Sequence, residues 1–461
     1  MDDPPKAAAH LKRSMHGVGA LMITLSGLSP TIGVFVVGSD VIHQAGSGAV
    51  LCFLAAALLG VAMAAVYGEL VSAFPETGGE YTIIGRTLGP TLGFSALGLN
   101  LANFTIAQAL SGLGIVTYLR GVFPNASPAP VAVALIVAVS AIAVLRVRLN
   151  ALVTGAFLGL EVASLVLLTA LGLLHPHRAV LVSVMHPLTL GQGGHLVTAS
   201  LAIMGTAAAG AIYAFDGFGG VVALGEELHD APRRVAPVIF WALGLAAMLE
   251  LAPVLAVILG APDLKVLIAA EAPLPAFIET VGGPWLGTIM SLAVALAIFN
   301  AMIALALMAG RQLFSTGRDQ VWPESVNAAL TQLHSRFNSP WIATLVMGGV
   351  SILWCLAPLS LLVTIIASIT IATYAGLCVS VIVGRRTGST RHTACRMPLF
   401  PAAPILALIA LAGVAWASFG DAEVGRPGLI ITLVIVACSG LGYRFLLAPK
   451  GTWAFRGPTE I

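Results

Sequence analysis

Stretches of roughly 20 apolar residues, each long enough for a helix to cross a bilayer, follow one another along almost the whole chain. No other feature restricts the fold so strongly. Backbone N–H and C=O groups in hydrocarbon must be paired within the protein, so such runs read as membrane-spanning helices. Of the 461 residues, 58% are hydrophobic and 9% charged, whereas a soluble domain carries about a quarter charged residues. That is too little charge to cover a water-exposed surface. Most segments are apolar on all faces, which argues against an amphipathic soluble bundle.

The pattern predicts an all-α membrane protein of twelve transmembrane helices. The spans fall at 17–44, 48–73, 91–121, 129–148, 151–174, 197–225, 236–260, 284–315, 340–357, 359–384, 399–418 and 427–448, with short connections carrying Pro, Gly and charge. The whole chain, 1–461, reads as one transmembrane domain without an appended soluble unit. With a cytoplasmic N-terminus, 18 of the 22 Lys and Arg fall on the inside; only Arg120, Arg178, Lys265 and Arg426 fall outside. The positive-inside rule therefore places both termini in the cytoplasm and the chain in the cell membrane. The polar start, MDDPPKAAAHLKRSMHG, is not a cleavable signal peptide.

Some chemistry is not expected. The five cysteines (Cys52, Cys355, Cys378, Cys395, Cys438) lack metal-site or disulfide-framework spacing. His175, His177, His186 and His195 are scattered over outside loops, so no metal is expected. There is no phosphate-binding glycine loop, nucleophile elbow or metalloprotease helix. No cofactor, no enzymatic activity and no nucleic-acid partner are predicted.

Two spans carry internal breaks. In LSGLSPTIGVFVVG (Leu25–Gly38), Gly27, Pro30 and Gly33 lie within seven residues; in YAFDGFGG, Asp216 is embedded among Gly217, Gly219 and Gly220. Pro removes a backbone donor and Gly lowers the cost of leaving the helix. Broken helices at matching places in two halves point to an inverted-repeat transporter with its site near the midplane. Gly and Pro also occur in transmembrane helices simply for close packing.

Three blocks resemble the amino acid–polyamine–organocation transporters: GELVSAFPETGGEYTIIGRTLGP (Gly68–Pro90), YAFDGFGGVVALGEELHDAPRRVAP (Tyr213–Pro237) and RQLFSTGRDQVWPESV (Arg311–Val326). Asp230-Ala231-Pro232 stands where that family usually has Asn-Pro. The resemblance implies a five-plus-five inverted repeat (17–174 and 197–384) with two extra C-terminal helices (399–448). It also implies alternating access around a site made by spans 1, 3, 6 and 8. Most amino acid members carry Gly-(Ser/Thr)-Gly in span 1, where backbone N–H groups meet the substrate carboxylate. Here the matching residues are Thr31-Ile32-Gly33, which keep only the last glycine.

The candidate substrate-binding residues are Ser29, Thr31, Ile32 and Gly33 on the first break, with Tyr213, Ala214, Phe215, Asp216, Gly217 and Phe218 on the sixth. Asp216 suits either contact with a substrate ammonium group or capping of the restarted half-helix, and the three aromatic rings can stack on a cation, form a gate or simply pack. Four other acids lie within or at the edge of spans, where charge is costly. Asp40 and Glu69 sit near span ends, within reach of water, and the family signature gives Glu69 a structural contact at the cytoplasmic side. Glu250 lies mid-span beside Pro253, placed to bond backbone that the proline frees. Glu161 is the sole charge of span 5. Burial disfavours the charged form of a carboxyl group, so Glu161 is the candidate for proton coupling, an ionisable fifth-span residue having that role in some members of the family; the alternative is a permanently neutral side chain bonded to a neighbouring helix. Glu226, Glu227, Arg233 and Arg234 read as interfacial anchors and inner-gate ion pairs.

The function expected is secondary active transport of a small amino acid, proton-coupled or by exchange. The alternative is a permease for a polyamine, amino alcohol or other organic amine. A membrane-embedded enzyme or a channel would need clustered His or Asp at a span end, or a repeated filter sequence, and the chain has neither.

Overall fold

The structure, a computed structural model, describes residues 17–74, 79–120, 123–145, 151–191, 193–224, 231–337 and 339–450. Its helices are α1 (Gly17–Leu28), α2 (Ser39–Ala45), α3 (Ala49–Ala73), α4 (Glu80–Leu88), α5 (Pro90–Leu119), α6 (Pro128–Val144), α7 (Ala151–Leu174), α8 (Val180–Met185) and α9 (Leu201–Ala214). They continue with α10 (Ala231–Gly260), α11 (Leu264–Ala269), α12 (Pro273–Arg318), α13 (Glu324–Leu330), α14 (Trp341–Trp354), α15 (Leu359–Thr387), α16 (Ala402–Gly420) and α17 (Gly425–Gly442). Among the described residues nine helical segments are long and apolar enough to cross a membrane, the first running from Gly17 to Ala73. The chain is a multi-pass membrane protein. The all-α expectation needs one correction: Leu188–Leu190 and Leu196–Thr198 form a small antiparallel pair, Leu188 opposite Thr198, in the connection before α9.

Two packing relations position the site. α10 lies against α1, α3 and α7, and α1 also touches α7 and α12. α7 and α10 also meet near their C-terminal ends, where Gly172 lies directly against Ala256 and Gly260. On the other side of the breaks, α15 packs on α9 and α3. Large rings fill the centre: Phe35, Phe53, Tyr67, Phe215, Phe218 and Tyr374 are almost fully buried. The exposed apolar side chains, such as Leu58, Trp241, Met248, Leu353 and Trp416, sit on outward helix faces. In a bilayer those faces meet lipid, and helix association then rests on packing and internal hydrogen bonds.

Candidate functional site

The first break is centred on one residue. α1 ends at Leu28, and Ser29 takes φ 48°, a conformation uncommon outside glycine. Helical geometry resumes at Pro30 and becomes a π-helix over Ile32–Gly38; such turns often mark functional sites. The Ser29 carbonyl accepts from Ile32 N–H at 2.9 Å and from Gly33 N–H at 3.2 Å. This differs from the sequence expectation, in which the chain stays open over Thr31-Ile32-Gly33. Two of the N–H groups expected to meet a carboxylate are already bonded, because Pro30 fits the first turn of the restarted helix.

Two acids meet this turn. The Ser29 hydroxyl donates to Glu161 Oε1 at 2.6 Å, across 132 residues of sequence, and Glu161 is 4% exposed. A Cβ placed on Gly33 would lie 2.8 Å from Glu250 Cδ and 2.9 Å from each of its carboxyl oxygens. Gly33 therefore faces α10, and the absence of a side chain lets Glu250 approach the backbone. Glu250 is fully buried, and neither oxygen has a hydrogen-bond partner among the described residues. The expected bond to backbone freed by Pro253 is not made.

The second break lies directly against the first. Gly217 has φ 118°, and a Cβ there would come 3.0 Å from Leu28 Cα; only glycine combines that dihedral with that contact. Asp216 precedes it, and its carboxylate accepts from Gly217 N–H at 3.1 Å, Thr370 Oγ1 at 3.0 Å and Tyr374 OH at 3.0 Å. The break of the sixth span is thereby pinned to α15. Thr370 and Tyr374, four residues apart, face one way from a helix; a hydroxyl pair at that spacing in an apolar span was the available sequence signal, and it was missed. Beside Asp216, Tyr67, Phe218 and Tyr374 contact one another at centroid distances of 5.6, 6.1 and 6.3 Å. Phe215 instead packs edge-on against Phe53 at 5.8 Å. Of the remaining candidates, Thr31, Ile32 and Ala214 are buried and Tyr213 is half-buried. The structure thus brings the first- and sixth-span residues together, with Glu161 at the first break.

A family model described as amino acid permease matches residues 17–438. The chain belongs to that family. Its similarity to named permeases extends over most of its length. It is 25% identical to the branched-chain amino acid permease BcaP of Bacillus subtilis over 429 residues, 87% of this chain and 86% of the relative. It is 23% identical to the low-affinity putrescine importer PlaP of Escherichia coli over 360 residues, 76% of each. It is also 28% identical to an uncharacterized transporter of Mycobacterium tuberculosis over 357 residues, 76% of this chain and 74% of the relative.

The permease signature around Glu69 has a structural explanation. Glu69 is 1% exposed, which corrects the expectation that it reaches water. Arg385 grips its two oxygens from α15 at 2.7 and 2.5 Å, and Met397 N–H donates to it at 2.9 Å. Such a bidentate pair fixes orientation as well as distance, joining the end of α3 to α15 and the segment after it. Glu80 in the same signature accepts from Tyr67 OH at 3.1 Å and from Asn100 Nδ2 at 3.3 Å. Asp40 accepts from Gln44 at 2.7 Å and borders a cleft lined by Phe35, Ser39, His43, Tyr118 and Glu271. Arg233 and Arg234 are exposed at the start of α10, whereas Glu226 and Glu227 lie outside the described residues.

Proposed function

We propose that this permease is a secondary active transporter of a small solute bearing an amino group, bound between the broken first and sixth spans and moved by alternating access. The observation carrying this reading is Asp216, a carboxylate at the second break with three donors already in place. An ionised carboxylate offers about four acceptor sites, so one direction remains for an ammonium group. Phe215 and Phe218 flank it in sequence, and Gly217 keeps the two breaks in contact. The Glu161–Ser29 bond joins the first break to an acid suited to carry a proton, which supports proton coupling over exchange alone.

The proposed architecture is twelve spans. The run Gly17–Ala73 is counted as two crossings, and the shorter apolar helices α6 and α14 are included. The spans form the five-plus-five inverted repeat over 17–174 and 197–384 with two further C-terminal helices, and both termini are cytoplasmic. The named relatives, a branched-chain amino acid permease and a putrescine importer, bracket the solute class: amino acid or organic amine. One observation favours the amine. The N–H groups of Ile32 and Gly33, where a carboxylate would dock, are bonded to Ser29.

The test is uptake into proteoliposomes with labelled neutral amino acids, amino alcohols and diamines, with and without an acid-outside gradient. Saturable uptake of amine-bearing solutes, increased by the gradient, is expected. Uptake confined to solutes without an amino group would refute the reading.

A further inference from the structure

Glu250 has no place in the mechanism above, yet it is fully buried and has no hydrogen-bond partner among the described residues. Its surroundings sharpen the question. Glu161 and Glu250 touch the same helical turn: one takes the hydroxyl of Ser29, the other lies on the backbone of Gly33, and Gly33 N–H is bonded to Ser29 O at 3.2 Å. The helices carrying them are parallel neighbours. The C-terminal ends of α7 and α10 meet at Gly172 and Gly260, and His177 N–H donates to Leu259 O at 2.8 Å. Glu161 precedes Gly172 by 11 residues and Glu250 precedes Gly260 by 10. At 1.5 Å per residue, both acids lie about 15–17 Å along their helices from that contact, at nearly one level.

Among the described residues, no ion pair reaches either acid. Residues 17–38, 151–174, 236–260 and 284–310 contain no Lys, Arg or His, and their only acids are Glu161 and Glu250. From α3, the titratable groups are Cys52, bonded to Met204 O, Tyr67, bonded to Glu80, and Glu69, held by Arg385. On α2, Asp40 is bonded to Gln44, and His43 Nδ1 lies 2.9 Å from Ile268 O. The sixth-span break contributes Asp216, occupied by Thr370 and Tyr374, and Tyr213.

We propose that Glu161 and Glu250 form a single two-carboxyl proton site that shares one proton across the Ser29–Gly33 turn. This rests on the transporter reading above and extends it by naming the second half of the coupling site. Two carboxyl groups sharing one site do not both ionise readily. The pair takes one proton from water on one side of the membrane and releases one to water on the other; no other group is transferred. Binding or release changes the hydrogen bonding of Ser29, the hinge of the first span, and so links proton occupancy to the angle between α1 and the π-helix. The missing side chain at Gly33 is what admits the second carboxyl.

The experiment is infrared difference spectroscopy of the purified protein in lipid during a pH titration, following the C=O stretch of protonated carboxyl groups. Wild type, Glu161→Gln and Glu250→Gln are compared. Each substitution is expected to remove one titrating band. Each is also expected to move the midpoint of the band that remains by at least about one pH unit, the threshold for coupled titration. If Glu250→Gln removes no titrating band, or leaves the Glu161 midpoint in place, the proposal is overturned. Should Glu250→Gln fail to reach the membrane, Gly33→Ala places a methyl group against the carboxyl and is expected to shift the Glu250 midpoint; an unmoved midpoint again overturns the proposal. In proteoliposomes, either Gln variant is expected to lose at least tenfold in gradient-driven accumulation while keeping solute exchange. A wild-type protein that exchanges no solute refutes the transporter reading and leaves the titration result standing separately.

Discussion

Asp216→Asn changes one atom of the carboxylate and none of its volume. In wild type three donors converge on that group, at 3.0 to 3.1 Å. Asparagine retains one acceptor oxygen and turns the other position into a donor. The hydroxyls of Thr370 and Tyr374 can rotate to accept from the new NH₂, so the protein is expected to fold, with a loss of about 1–3 kcal/mol in stability. Solute binding is affected more directly. A hydrogen bond to a charged group contributes about 1.5–3 kcal/mol, and each 1.4 kcal/mol is a factor of ten, so loss of the ammonium contact weakens Kd by roughly 10- to 150-fold. The assay is calorimetric titration of purified wild type and variant with the solute identified by uptake, alongside thermal melting in the same detergent. Folded Asp216→Asn binding with the wild-type Kd would refute the ammonium contact and leave Asp216 as a structural pin between the sixth span and α15.

Three further outcomes follow from contacts described above. Gly33→Ala forces the Glu250 carboxyl to move, since the new methyl would sit 2.8 Å from its carbon; a destabilisation of about 1–3 kcal/mol is expected, and Gly33→Ala/Glu250→Ala should melt closer to wild type than Gly33→Ala alone. Gly217→Ala meets Leu28 Cα at 3.0 Å and must hold φ 118°, so uptake should fall more than tenfold, whereas Gly220→Ala, which has open space, should transport normally. Glu69→Gln and Arg385→Ala each break a pair in which Glu69 is buried and Arg385 half-buried, a loss of about 1.5–3 kcal/mol, as for a hydrogen bond to a charged group. Their double mutant should cost less than the sum of the two in melting experiments, because the residues are in direct contact.

The multi-pass membrane character of the chain and the existence of both breaks are legible in the sequence, because hydropathy and the Gly–Pro pattern act locally along the chain. The acids within the spans are also legible, since a carboxylate in an apolar run stands out. Their partners were not. Ser29 meets Glu161 across 132 residues and Asp216 meets Tyr374 across 158. A helix that is apolar all round gives no sign of which face turns inward, because its rotation is set by packing against neighbours. That is why the approach of Glu250 to Gly33 is not legible in the sequence. The bend itself was misplaced by a few residues: Pro30 is an obvious helix breaker by composition, but it also starts a helix well, which shifts the distortion back onto Ser29. Glu69 looked solvated because it lies near a span end, and its partner Arg385 lies at the far end of another span.

The most direct measurement is a structure of the protein in lipid with the transported solute bound. The account expects its density between the two breaks, with the amino group within hydrogen-bond distance of an Asp216 oxygen and the body of the solute against Ser29–Gly33. Density elsewhere, for example in the small cavity bordered by Phe104, Gln108 and Thr344, with Asp216 still bound only to Gly217, Thr370 and Tyr374, would contradict it.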